Sequence, residues 1–140
     1  MRKDGDRMLQ RVEHLEIDPI KKVLKHAIGP SEASLFKAVS MYKNDQAVLY
    51  KYGNKGCIGI VLIHTNRARV CHIAVDEKYR NQGIALQMIK EIIKEYELTY
   101  IEAETDTEAV EFYKKCNFKI ESLGEKYLGV ERFYCYLENE

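Results

Sequence analysis

The run Arg80-Asn81-Gln82-Gly83-Ile84-Ala85 stands between a short apolar segment, Ile73-Ala74-Val75, and a long amphipathic one. That placement suits anion binding. A glycine at a loop-to-helix junction lets backbone approach a ligand closely, because no Cβ intervenes. The first N–H groups of the helix have no intrahelical partner and carry the positive end of its dipole. Together they fit a phosphate or pyrophosphate, and Arg80 adds a fixed positive charge. Three further kinds of group can move protons. His72 titrates near neutrality. Glu102 and Glu104 share one face of a strand. Tyr113 is a weak acid that donates only within hydrogen-bond reach. Each also has a plainer reading: a packed strand histidine, a solvated strand face, and a tyrosine on an apolar stripe with Ala109, Phe112 and Cys116 that only packs.

The elements that must position these groups follow from the pattern. Residues 1–7 read as a polar tail and residues 8–12 as a short first strand. Asp18 as cap, Pro19 at the first helical position and Ile20, Val23, Leu24 and Ala27 on one face predict a helix, stopped by Gly29-Pro30. Ser31 caps a second helix with Leu35, Ala38, Val39 and Tyr42 on its apolar side. Residues 47–52 and 57–64 form a hairpin across Gly53-Asn54-Lys55-Gly56, and residues 68–75 return as a third strand. The helix after the glycine junction points Leu86, Ile89, Ile92, Ile93 and Tyr96 inward and carries Lys90, Glu91, Lys94 and Glu95 on a solvated outer face. Residues 99–104 form a strand entered from a helix, and so parallel to the strand before it. Asp106 caps a fourth helix, closed by Asn117 in a left-handed conformation. Residues 119–123 and 130–137 are two last strands around a loop at 124–129. The order β-α-α-β-β-β-α-β-α-β-β predicts an α/β (α+β) fold, a mixed sheet with one parallel crossover.

Composition narrows the classes. With 140 residues, 46% hydrophobic and 31% charged, the chain has the makeup of a single globular domain, 1–140. Lys plus Arg equals Asp plus Glu at 22 each, so no net field attracts nucleic acid or an acidic membrane. There is no apolar run of about 18–20 residues to span a bilayer and no signal-type segment, which makes the cytoplasm the expected location. The four cysteines fall singly without metal-ligand spacing, so no metal is expected and they read as buried reduced thiols.

Residues 80–85 match Gln/Arg-x-x-Gly-x-Gly/Ala, and Glu102-Ala-Glu-Thr-Asp106 with Ala109-Val-Glu-Phe-Tyr113-Lys-Lys-Cys-Asn117-Phe118 follows at a matching distance. With both elements, the chain resembles the GNAT superfamily of acyl-CoA-dependent N-acetyltransferases, well over residues 46–137 and loosely over the first two helices. The resemblance implies a mostly antiparallel sheet whose one central parallel pair splays to seat a thioester. It implies acetyl-CoA as cosubstrate, held by the backbone of Ile73, Ala74 and Val75 along pantetheine and by Arg80, Asn81, Gln82, Gly83, Ile84 and Ala85 at the pyrophosphate. Asp106 stands where the family typically has an Asn nearby. An amine would attack the acetyl carbonyl directly, a strand amide near Val75 would polarise the oxyanion, and Tyr113 would protonate the departing thiolate.

The general base departs from the pattern. Many relatives carry a Glu where a gapless comparison puts Arg69, which leaves His72, Glu104 and Glu102 as candidates. The acceptor pocket is expected from the first two helices, the Gly29–Ser31 region and residues 124–132. A small amine, polyamine, aminoglycoside, peptide N-terminus or lysine side chain all fit. Tyr127, Tyr134 and Tyr136 suit either packing or a homodimer seam. The Arg69 departure also leaves open a non-catalytic acyl-CoA-binding or sensing module. An unrelated nucleotide binder is disfavoured, since neither G-x-x-x-x-G-K-[ST] nor G-x-G-x-x-G after a first strand is present.

Overall fold

In a computed structural model, residues 8–28 and 31–139 are described; the tail at 1–7 and the Gly29-Pro30 stop lie outside them. The order is β1 (Leu9–Arg11), α1 (Lys21–Ile28), α2 (Glu32–Lys43), β2 (Val48–Tyr52), β3 (Gly56–His64), β4 (Arg67–Val75), a 3₁₀ turn (Glu77–Tyr79), α3 (Ile84–Glu95), β5 (Tyr100–Asp106), α4 (Val110–Lys115), β6 (Lys119–Tyr127) and β7 (Val130–Glu138). This is the expected α/β order. The strands form one seven-stranded sheet, β1-β2-β3-β4-β5-β7-β6. All neighbours are antiparallel except β4 and β5.

Two apolar layers hold the helices on opposite faces. Ile84, Met88, Ile89 and Ile92 of α3, with Val110, Tyr113 and Cys116 around α4, bury against Ile58, Ile60, Val70, Ile101 and Ala103. The i, i+4 spacing of Ile84, Met88 and Ile92 makes this possible. Met88 and Ile92 are fully buried, each worth about 1.5–3 kcal/mol against exposure. On the other face Val23 and Leu24 of α1 pack with Leu49, Cys57 and Ala74, and Tyr42 of α2 leans on the same cluster. No helix among the described residues is long and apolar enough to cross a membrane.

Caps follow the sequence closely. Asp18 Oδ1 accepts from the Ile20 N–H at 3.0 Å, and Ser31 Oγ accepts from Ser34 N–H at 2.9 Å. Asn117 takes φ 68, the left-handed stop. Three expectations need correction. Glu91 is not on a solvated face: it is 5% exposed, and its Oε1 accepts from the Met8 and Leu9 N–H groups, tying β1 to α3. Residues 124–129 are not a long loop, because β6 and β7 continue to a tight turn at Gly129 (φ 75), with an irregularity at Gly124 (φ 73). Cys71 is half-buried, unlike the other three cysteines.

Two departures from regular pairing shape the centre of the sheet. Gly59 pairs with His72 but Ile60 with Val70, so Cys71 is an extra residue in β4. Such a bulge bends the strand and re-aims its side chains. Parallel pairing of β4 with β5 covers only Arg67↔Tyr100, Ala68↔Ile101 and Arg69↔Glu102. Beyond Arg69 the two strands part. β5 instead keeps full pairing with β7, from Tyr100↔Glu138 to Asp106↔Arg132.

Candidate active site

The gap between the parted strands is a cleft of about 1030 Å³. Residues 70–75 of β4 form one wall, residues 104–106 of β5 the other, and the start of α3 and the inner side of α4 close its ends. The loop from β4 into α3 is built by local hydrogen bonds. Asp76 donates its N–H to Lys55 O at 2.7 Å and accepts from the Lys78 N–H through Oδ1 at 2.9 Å. Arg80 Nε donates to Val75 O at 3.2 Å. Asn81 and Gly83 then both take left-handed conformations, φ 65 and φ 76. Gly83 is the cap residue of α3 and no side chain caps the helix there. The first N–H groups of α3 thus lie at the cleft. A Cβ on Gly83 would meet nothing within 4 Å. The space beside those amides is open, as an anion requires.

The structure gathers nearly every site residue expected from sequence. Residues 72–75, Arg80, Asn81, Gly83, Ile84, Ala85, Glu104, Asp106 and Tyr113 line the cleft; Gln82 is exposed and outside the lining. Asp106 Oδ1 accepts from the Glu108 and Ala109 N–H groups at 3.1 and 3.0 Å. It therefore caps the turn leading into α4, whose helix starts at Val110. Tyr113 is 4% exposed and packs between Phe112 and Phe118, with ring centroids at 5.0 and 5.2 Å. Burial pushes its phenol well above the ordinary value, so it keeps its proton and suits a proton donor, not a base.

The candidate bases are engaged. Glu104 accepts from Lys126 Nζ at 3.0 Å and Arg132 Nε at 3.1 Å. The Lys126 hydrogen bond is the largest effect on its carboxyl; burial opposes it, and the Arg132 hydrogen bond and the two cation charges keep the net shift below the usual range. His72 Nδ1 lies 2.6 Å from Tyr42 Oη, and burial lowers its pKa. Glu102 does not line the cleft; it is 7% exposed and bound to Arg69. Of the expected acceptor pocket, His26, Ala27 and Ile28 of α1 and Arg132 of β7 reach the cleft. Sequence reasoning missed the contact of Tyr42 with His72 and the tie of Arg132 to Glu104. Arg132 comes to the cleft through its register pairing with Asp106, which no local signal encodes.

The family described as Acetyltransferase (GNAT) domain matches residues 37–120. The chain belongs to this family. No curated protein matches the sequence. Among solved structures, this GNAT chain is similar to a GNAT family acetyltransferase from Elizabethkingia anophelis with acetyl-CoA bound, at 22% identity over 93% of this chain and 96% of that one, TM-score 0.66. It is also similar to a Bacillus subtilis acetyltransferase in complex with CoA (19%, 94% and 98%, TM-score 0.69). An aminoglycoside 6'-N-acetyltransferase complexed with coenzyme A superposes at TM-score 0.74, with 14% identity over 94% and 97% of the two chains. At these identities the likeness is one of fold. The mostly antiparallel sheet with one parallel, parted pair is the GNAT fold.

Proposed function

We propose that this GNAT chain transfers the acetyl group of acetyl-CoA to a primary amine of a small molecule or peptide. The observation that carries the reading is the open anion cradle at the start of α3, set at one end of a cleft whose inner side holds a protonated tyrosine. The cradle suits a pyrophosphate, since Gly83 leaves open space and the first-turn amides need a partner. The wall at residues 73–75 offers strand backbone to an extended pantetheine arm, a pairing that uses exposed strand polar groups. Val75 O already accepts from Arg80, so that arm would share this acceptor or rely on Ile73. Acetyl-CoA supplies the activated acyl carbon. An amine enters from the α1 and Arg132 side, where His26 and Glu104 also face the cleft. As the C–N bond forms and the C–S bond breaks, the amine's surplus proton passes to water, Tyr113 gives its proton to the leaving sulfur, and Tyr113 recovers one from water. Proton donation of this kind typically contributes about 10²–10⁴-fold.

A second reading is a non-catalytic acyl-CoA-binding module. It draws on the ties of Glu104 to two cations and of His72 Nδ1 to Tyr42. One experiment separates the readings. Thermal stabilisation by acetyl-CoA, absent with ATP or NAD, tests the cradle by mass action. Thiol release from acetyl-CoA across an amine panel tests transfer. Stabilisation with thiol release supports the enzyme; stabilisation with no release from any amine would leave the binding module.

A further inference from the structure

Tyr42 and His72 stand 30 positions apart in sequence and meet at 2.6 Å, Oη to Nδ1, with ring centroids 5.7 Å apart. The contact depends on a glycine. Gly59, the strand partner of His72, leaves the space the phenol occupies: a Cβ there would fall 1.7 Å from Tyr42 Oη and 2.6 Å from its Cζ. The bulge at Cys71 lies immediately before His72 and sets its aim. Sheet, bulge and glycine together seat one hydroxyl against one ring nitrogen.

The protons of this pair can be placed. Burial, followed by the neighbouring Cys71 and Cys57, keeps the Tyr42 phenol protonated, and burial keeps His72 neutral. Among the described residues, Nδ1 is the one hydrogen-bond partner of the hydroxyl. A half-buried O–H with a single acceptor donates to it, because leaving a desolvated donor unpaired is unfavourable. Nδ1 therefore accepts, and the one proton of a neutral imidazole sits on Nε2. Nε2 has no partner among the described residues, and His72 lines the cleft. Tyr42 of α2 is the titratable group in contact with the ring; His26 of α1, Cys71 of its own strand, Glu104 of β5 and Arg132 of β7 share the cleft lining with it.

We propose that Tyr42 is a positioning residue that fixes His72 as its Nε2–H tautomer, which makes His72 a hydrogen-bond donor to the acyl oxygen in the cleft and not a base for the acceptor amine. The identity of that oxygen rests on the acyl-transfer reading; the tautomer does not. No proton changes owner in this role: the Nε2–H bond is shared with the oxygen as negative charge builds there, and returns.

Nitrogen-15 NMR of the full chain at pH 8, without ligand, reads the tautomer directly. The expected result is a protonated Nε2 and an accepting Nδ1 for His72, and a mixture of tautomers in Tyr42→Phe, which keeps the ring and removes the hydroxyl. A proton on Nδ1 in the wild type, or an unchanged tautomer in Tyr42→Phe, would overturn the assignment. Turnover tests the donor role. His72→Gln offers an amide N–H and no base, and is expected within about 10-fold of wild type, whereas His72→Ala loses about 10²-fold, the scale for one oxyanion donor. Equal losses in Gln and Ala would refute donation. A wild type that acetylates no amine would sink the transfer reading alone, and the spectrum would still decide the tautomer.

Discussion

Replacing Gly83 by Asp and by Asn isolates the charge at the proposed pyrophosphate cradle. Both side chains carry their Cβ into open space, where nothing lies within 4 Å. Both must adopt φ 76, which Asn and Asp tolerate better than other residues. The backbone cost, about 1 kcal/mol, is therefore nearly the same in the two variants and cancels in their comparison. What differs is one negative charge. At about 4 Å a unit pair interacts by about 1 kcal/mol in water and about 4 kcal/mol at an effective dielectric of about 20. Gly83 is exposed, so the lower value applies. Against two pyrophosphate charges Asp then opposes binding by about 2 kcal/mol, roughly 30-fold in Kd relative to Asn. Calorimetric titration with acetyl-CoA at low salt and again at about 1 M salt, where the Debye length falls to about 3 Å, should show the gap and then its narrowing. If Asp and Asn bind acetyl-CoA equally at low salt, the phosphates lie elsewhere and the cradle reading fails.

Two further predictions follow from the same geometry. Tyr113→Phe keeps the packing between Phe112 and Phe118, so it should leave acetyl-CoA affinity within about twofold while lowering turnover about 10²-fold or more; turnover equal to wild type would remove the proton-donor role. Stability should fall on acidification in two windows. His72 has a folded pKa below its ordinary 6.5, so the unfolded chain takes up the proton first and stability declines as pH drops through about 6.5; His72→Gln should flatten that limb in urea titrations at pH 7.5 and 5.5. For Asp18, burial raises the pKa, but the Lys51 and Ile20 hydrogen bonds outweigh it and the net shift is down from 3.8. That contribution is present above about 4 and lost below it.

The donor half of the site was legible because it is local. A glycine between a strand and a helix, its left-handed φ and the amides it frees are properties of a few consecutive residues, as are the Ser31 and Asp18 caps and the left-handed Asn117. The splay was readable only as an implication of family resemblance, since it depends on where β4 stops pairing with β5, after Arg69. Three features were not legible. The insertion of β7 between β5 and β6 is a pairing choice among strands far apart in the chain. The length of the last hairpin was lost because Gly124 and Gly129 look like loop residues, yet one sits at a strand irregularity and the other in a tight turn. Glu91 falls on the polar face of α3 by periodicity, but the start of β1 folds over that face, and the Met8 and Leu9 amides both donate to its Oε1, which offsets part of the cost of burying a carboxylate.

The departure at Arg69 also reads differently once strands are paired. Arg69 faces Glu102 in the last parallel register pair before the strands part. A carboxylate is thus present beside the expected place, moved one strand over. Its surroundings are those of a structural group. Arg69 Nε and Nη2 both donate to Oε2, at 2.9 and 2.6 Å, and Tyr134 Oη donates to Oε1 at 3.2 Å. Tyr134 Oη lies 2.5 Å from Tyr100 Oη, and the Arg67 guanidinium sits 4.2 Å from the Tyr100 ring centroid. Freeing Glu102 to take a proton would leave Arg69 without its partner and dismantle the contacts that brace the parallel pair at the point where it opens. The network therefore suits a hinge for the splay better than a base. Taken with the ties on Glu104 and the donor state proposed for His72, it favours, within the proposed transfer, an acceptor that gives up its proton to water, with the protein holding the acyl carbon and the leaving sulfur.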